Sequence, residues 1–216
     1  MIYLPKSSAG DLAKILQEAM AVDRSGVYRD GPVYERLKAD FHGKCYICED
    51  DEMTAIQIEH FEPHKNVLVK KYSWENLFYS CGHCNNTKNA GFWPMLDCTE
   101  FDHEVWESLN ISLSIFPKTE VKISLSATCP HPEKGQNTIR LLEKVYNGKD
   151  ATAMKTDEAR ILRNKILRAH TNFVTAVAQQ DVELIWKLIS DNAAFSGIMR
   201  WWLRNNHPKL YTELLT

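Results

Sequence analysis

Apolar residues recur at helical spacing from Ala9 to Met20, where Leu12, Ile15, Leu16 and Met20 share one face, so a helix is expected there. Val33 to Phe41 repeats the pattern over a shorter stretch, with Tyr34, Leu37 and Phe41 together. Gly43-Lys44 then turns the chain. Ile56 to Ile58 predicts a short strand that delivers Glu59 and His60, and Pro63 closes it. Ser73 to Asn76 reads as a loop entering a short turn, and Asn85 to Ala90 as the start of a helix. Val121 to Leu125 alternates apolar and polar residues, the period of a half-buried strand. Cys129 to Gly135 reads as a loop, after which Asn137 is expected to cap a helix over Thr138 to Tyr146 that Asn147-Gly148 stops. Beyond Asp150 the pattern is helical: Thr156 to Ala178, Val182 to Ser190, and Ala194 to Asn205 before Pro208. No internal repeat or low-complexity segment interrupts it.

The reading is therefore α+β, with a boundary near Gly148. Residues 1–42 form an N-terminal helical segment, 43–148 a metal-centred core with its following strand and helix, and 149–216 a C-terminal helical region. At 216 residues, 44% hydrophobic and 25% charged, the chain is large enough for a real core and too apolar for disorder. No apolar run is long enough to cross a bilayer. A net charge of −2 gives no global footprint for nucleic acid, so any such surface must be local. Two basic stretches offer one: His64-Lys65, Lys70-Lys71 and Lys88, and the series Lys155, Arg160, Arg163, Lys165, Arg168. Each reads equally as a solvated face. Met199, Trp201, Trp202 and Leu203 crowd apolar groups on one helical turn, which suggests a docking face for a partner.

The chemistry begins with the cysteines. Cys45-Tyr-Ile-Cys48 and Cys81-Gly-His-Cys84 each have the spacing that lets two thiolates share one ion, and together they make the closed four-sulfur shell of structural zinc. A redox role for either pair needs a βαβ context that neither flank supplies. Cys98 and Cys129 lack close partners in sequence and read as buried hydrophobes. The first residues lack a secretory apolar stretch, so a cytoplasmic location is expected, where thiolates stay free for metal.

Between the two pairs lie Ile58-Glu59-His60-Phe61-Glu62-Pro63 and Asn76-Leu77, and Asn85-x2-Lys88 follows directly on Cys84. In this order the segment 45–92 resembles the HNH endonuclease family, in its version with a four-cysteine zinc knot. Thr138-Ile-x-Leu-Leu142 and Tyr146-Asn-Gly148 are similar to the downstream segment of a subgroup found in Septu-type and retron-associated anti-phage systems. The resemblance implies a ββα-metal core and a metal-dependent nuclease acting on DNA or RNA. It also implies an ATPase partner of the PtuA kind and, for a retron, a reverse transcriptase with its small DNA.

Phosphodiester hydrolysis needs an activated water, a charge sink on the phosphate and stabilisation of the departing oxygen. His60 suits the general base, since an imidazole takes and releases a proton near neutral pH. The resemblance implies that Glu59 and Asn85 hold a catalytic divalent ion, and hard oxygen donors favour Mg2+ or Mn2+. It implies for Asn76 a supporting role in orienting the histidine. Lys88, His64 and His83 are candidate substrate contacts. Glu59 stands where Asp or His is more usual and Asn85 where many members carry His, which makes zinc a poorer catalytic ion here. Two other readings stay open: a nuclease of restriction type, and a non-catalytic zinc-ribbon module that binds nucleic acid or protein.

Overall fold

The computed structural model describes residues 1–215. Helix α1 (Leu12–Ala21) buries Leu12, Leu16 and Ala19, and α2 (Gly31–Asp40) buries Val33 and Leu37, with a helical turn over Ser25–Tyr28 between them. Pro32 sits in the first turn of α2, where its missing N–H leaves no bond unmade. The pair delivers Phe41 into the core, where its ring lies 5.4 Å from Phe78 and 6.2 Å from Tyr46.

Strands β1 (Ile56–His60) and β2 (Leu77–Cys81) form an antiparallel hairpin in register from Ile56↔Cys81 to His60↔Leu77. Their long connection holds α3 (Leu68–Lys71), and β2 runs straight into α4 (Gly82–Lys88). After α5 (Val105–Ser108), β3 (Leu109–Ser114) and β4 (Glu120–Leu125) make a second, separate antiparallel hairpin. The rest is helical: α6 (Pro132–Asn147), α7 (Ala153–Ala178), α8 (Val182–Ile189), α9 (Ser196–Asn206) and α10 (Pro208–Leu215). Helix α6 packs on β4 and α7, and α9 packs on β3 and α8. One apolar cluster runs from Met1 to Leu203 and takes in the four paired cysteines. The architecture is α+β, and among the described residues no helix is long and apolar enough to cross a membrane.

Several elements differ from the pattern-based expectation, each for a local reason. Strand β2 is buried on both faces, so Leu77-Phe-Tyr-Ser-Cys81 shows no alternation to read. Helix α6 starts at Pro132, not Thr138, because proline is favoured in a first turn. Asn137 is therefore interior to the helix, and its Nδ2 donates to Pro94 O at 2.8 Å. Helix α4 starts three residues early because the Cys81 sulfur caps it, accepting from Cys84 N at 3.3 Å. Gly148 does end α6, in the left-handed region at φ +67°.

The expected docking face on α9 is consumed within the fold. Met199, Trp201 and Leu203 are buried; Trp201 packs 5.1 Å from Trp106, and Trp202 stands edge-on to Phe173 and His170. The exposed tryptophan of this region is Trp186 on α8. The basic series on α7 is engaged in part: Lys155 pairs with Glu158, Arg163 donates to Tyr146 O and Lys165 pairs with Asp50, whereas Arg160 with Asp157 and Arg168 with Glu52 are exposed surface pairs that leave both cations open to solvent.

Glu49 ties the first cysteine pair to the C-terminal helices. Its buried carboxylate accepts from Ser196 Oγ at 3.1 Å and Gly197 N at 3.0 Å, and its backbone oxygen accepts from Phe195 N at 3.2 Å. A Cβ on Gly197 would lie 2.6 Å from Glu49 Oε1, in a place that carboxylate cannot easily leave. Gly197→Ala is therefore expected to lower stability by about 1–3 kcal/mol, measured by urea unfolding.

Candidate active site

The site is built on the cysteines. Cys45 and Cys48 lie on a tight turn after Gly43, whose φ of +69° suits glycine. Cys81 closes β2 and Cys84 lies in the first turn of α4, so one ion would bind the turn, the strand end and the helix start together. All four sulfurs are buried and lie within 4.8 Å of one another, with Cys48 Sγ 3.9 Å from Cys81 Sγ. Tetrahedral zinc with Zn–S bonds of about 2.3 Å needs sulfurs about 3.8 Å apart, so the donor set fits. Among the described residues this is the one cluster of three or more His, Cys, Asp or Glu placed to hold a metal.

Alternation along β1 sends Gln57 and Glu59 to one face and Ile58 and His60 to the other. Helix α4 covers the Gln57–Glu59 face. There Glu59, 3% exposed, pairs with Lys88 Nζ at 2.7 Å. Burial pushes the Glu59 carboxyl up to about 7 in spite of that ammonium. Its Oε1 is buried without an aligned hydrogen bond. One helical turn earlier, Asn85 Nδ2 donates to Gln57 Oε1 at 2.5 Å. The two expected oxygen donors, Glu59 and Asn85, thus belong to the same side of the hairpin. A carboxylate and an amide oxygen are the donors a hard divalent ion takes, although Lys88 already occupies the carboxylate.

His60 sits at the end of β1. Its Nε2 lies 3.0 Å from Lys71 O; a carbonyl only accepts, so Nε2 carries the proton and Nδ1 keeps the lone pair. Nδ1 has no hydrogen-bond partner among the described residues. Burial lowers the His60 pKa to about 4, against the pull of the Lys71 carbonyl, so the ring is neutral at pH 7. Tyr28 stands edge-on at 5.5 Å and His64 at 4.5 Å between ring centroids. His64 Nδ1 accepts from Asn66 N at 3.1 Å, which leaves Nε2 as its donor. Asn76 locks the loop between the strands: Oδ1 accepts from Glu62 N at 2.7 Å, and Nδ2 donates to Glu62 O and Lys70 O at 3.0 and 2.9 Å. Lys70 immediately precedes the carbonyl that fixes His60.

Two expected substrate contacts take internal roles instead. Lys88 is 2% exposed and donates to His60 O and Phe61 O besides pairing with Glu59, so it clamps the strand end and does not meet a phosphate. His83 has both ring nitrogens engaged, Nδ1 with Glu158 and Nε2 with Val145 O, each at 2.9 Å, which ties α4 to α6 and α7. The motif reading missed Gln57 and the Lys71 carbonyl. Gln57 was within reach, since it lies two residues before Glu59 and so shares its face; the carbonyl leaves no trace in residue type.

Two antiparallel strands running into a helix, held together at four cysteines and with a tethered histidine at the strand end, make a ββα arrangement. Residues 45–91 match the model of the HNH endonuclease family. Over 83 residues the chain is 31% identical to the Septu protein PtuB of Bacillus mycoides (strain KBAB4), a stretch covering 32% of this chain and 28% of that protein. The chain thus aligns with less than a third of that relative's length. No solved structure matches it.

Cys48→Ser is expected to release the zinc and abolish the cooperative unfolding transition, checked by metal content after dialysis and by thermal melting, because structural zinc supplies about 10 kcal/mol in small sites. Lys88→Met should lower stability by about 3 kcal/mol in urea unfolding, since Glu59 loses its charged partner. A loss confined to nucleic-acid affinity would instead return Lys88 to the phosphate.

Proposed function

We propose that this chain is a metal-dependent endonuclease of the HNH type that hydrolyses nucleic-acid phosphodiester bonds. We further propose that it is the cutting component of a cytoplasmic anti-phage system with an ATPase partner. The observation that carries the reading is the tether on His60. Its Nε2–H is held by Lys71 O, so the neutral ring offers Nδ1 as a base to a water molecule. Asn76 keeps that carbonyl in place through the Lys70 backbone. His64, with Nδ1 satisfied by Asn66, offers Nε2–H beside His60 as a donor to a phosphate oxygen. Glu59 and Asn85 would hold a magnesium or manganese ion. Such an ion, when bound, stabilises charge on the phosphate and the departing oxygen. The match of residues 45–91 to HNH endonucleases supports the reaction class, and the similarity to Septu PtuB supports the defence role and, with it, the PtuA-like ATPase.

A second reading has one observation in its favour. A non-catalytic zinc-ribbon module has no need of a free metal ligand, and Glu59 is already paired with Lys88. His60→Ala decides between them. The purified variant, with the ATPase, is incubated with DNA and with total RNA in magnesium or manganese. Cleavage is expected to fall by about 10²–10⁴-fold at unchanged zinc content and unfolding midpoint. Cleavage at the unaltered rate would leave the binding module.

A further inference from the structure

Resting on the reading of Asn85 as a ligand of the divalent ion, we propose that Gln57 is a positioning residue that decides which end of the Asn85 side chain meets that ion. An amide carries an oxygen and an NH2 of nearly equal shape, and only the oxygen binds a hard cation. An asparagine with no fixed partner can present either. Here Asn85 Nδ2 donates to Gln57 Oε1, which commits the amino end to β1 and leaves Oδ1 at the opposite edge of the amide group. The placement follows from the strand's period of two: Gln57 and Glu59 share the face that α4 covers, so the orienting group and the carboxylate donor come from one strand.

The Gln57 side chain makes no other hydrogen bond among the described residues. It is half-buried and borders a groove of about 360 Å³ between the hairpin and α7, which Asn86, Gly82 and Ile161 also line. A surface role would accept many side chains there. The orienting role demands an acceptor at the end of a two-methylene arm, so Glu can replace Gln whereas Met, similar in length, cannot.

The full zinc-loaded chain is titrated with Mn2+ alone, and the electron paramagnetic resonance signal of free aqua Mn2+ reports binding. Zinc content and melting temperature are recorded for each variant. Gln57→Met is expected to weaken Mn2+ binding by about 10–100-fold, the usual consequence of removing a group that orients a ligand, with zinc and melting unchanged. Gln57→Glu, which can only accept, is expected to bind Mn2+ at least as tightly as the natural chain. Equal weakening by both variants, or none by Gln57→Met, overturns the inference. Asn85→Ala separates the levels. If it loses Mn2+ while Gln57→Met does not, the metal assignment stands without Gln57; if it binds Mn2+ unchanged, the assignment and the inference fall together.

Discussion

Four sulfurs converging on one point constrain everything else in this molecule. A hairpin of two five-residue strands has too little buried surface to hold its own register in water. The knot supplies what the hairpin lacks by joining the Cys45–Cys48 turn, the end of β2 and the start of α4. Register then follows, and with it the sides of β1 to which Glu59 and His60 belong. A slip of one residue would exchange them.

A second constraint acts within that frame. Lys88 is as buried as the carboxylate it pairs with, and it also holds the carbonyls of His60 and Phe61. A buried pair of this kind specifies geometry more than it adds stability, because desolvation offsets most of the attraction. The raised Glu59 pKa records the same balance. One ammonium therefore links the face of β1 that carries Gln57 and Glu59 to the end of the strand that presents the imidazole.

The segments outside the HNH match brace this core. The turn over Ser25–Tyr28 places Tyr28 against His60, and Asp23 takes bonds from Lys71 and Tyr72 beside it. On the opposite flank, Lys165 and Arg168 of α7 bind Asp50 and Glu52 next to the knot, and His83 reaches α6 and α7. Lys165, which looks like part of a nucleic-acid surface in sequence, thus serves to dock α7. The contribution of α9 runs through Glu49, which binds Ser196 and Gly197 immediately after the first cysteine pair.

The sequence by itself determined the parts whose chemistry is local. Two C-x2-C pairs announce a four-sulfur cluster, the order of Glu59-His60 and Asn85 around them carries the resemblance to HNH endonucleases, and helical periodicity marks α1, α2 and α7. Spacing carries these because a few neighbouring residues suffice to make them. Only the tertiary structure decided which cations are free and which are consumed, that Lys88 is buried, that His83 is occupied on both nitrogens, and that Trp201 and Trp202 face inward. It also decided the tautomer of His60, through a backbone carbonyl eleven residues away. Each of these depends on partners distant in sequence or on main-chain atoms common to every residue, and neither leaves a pattern along the chain.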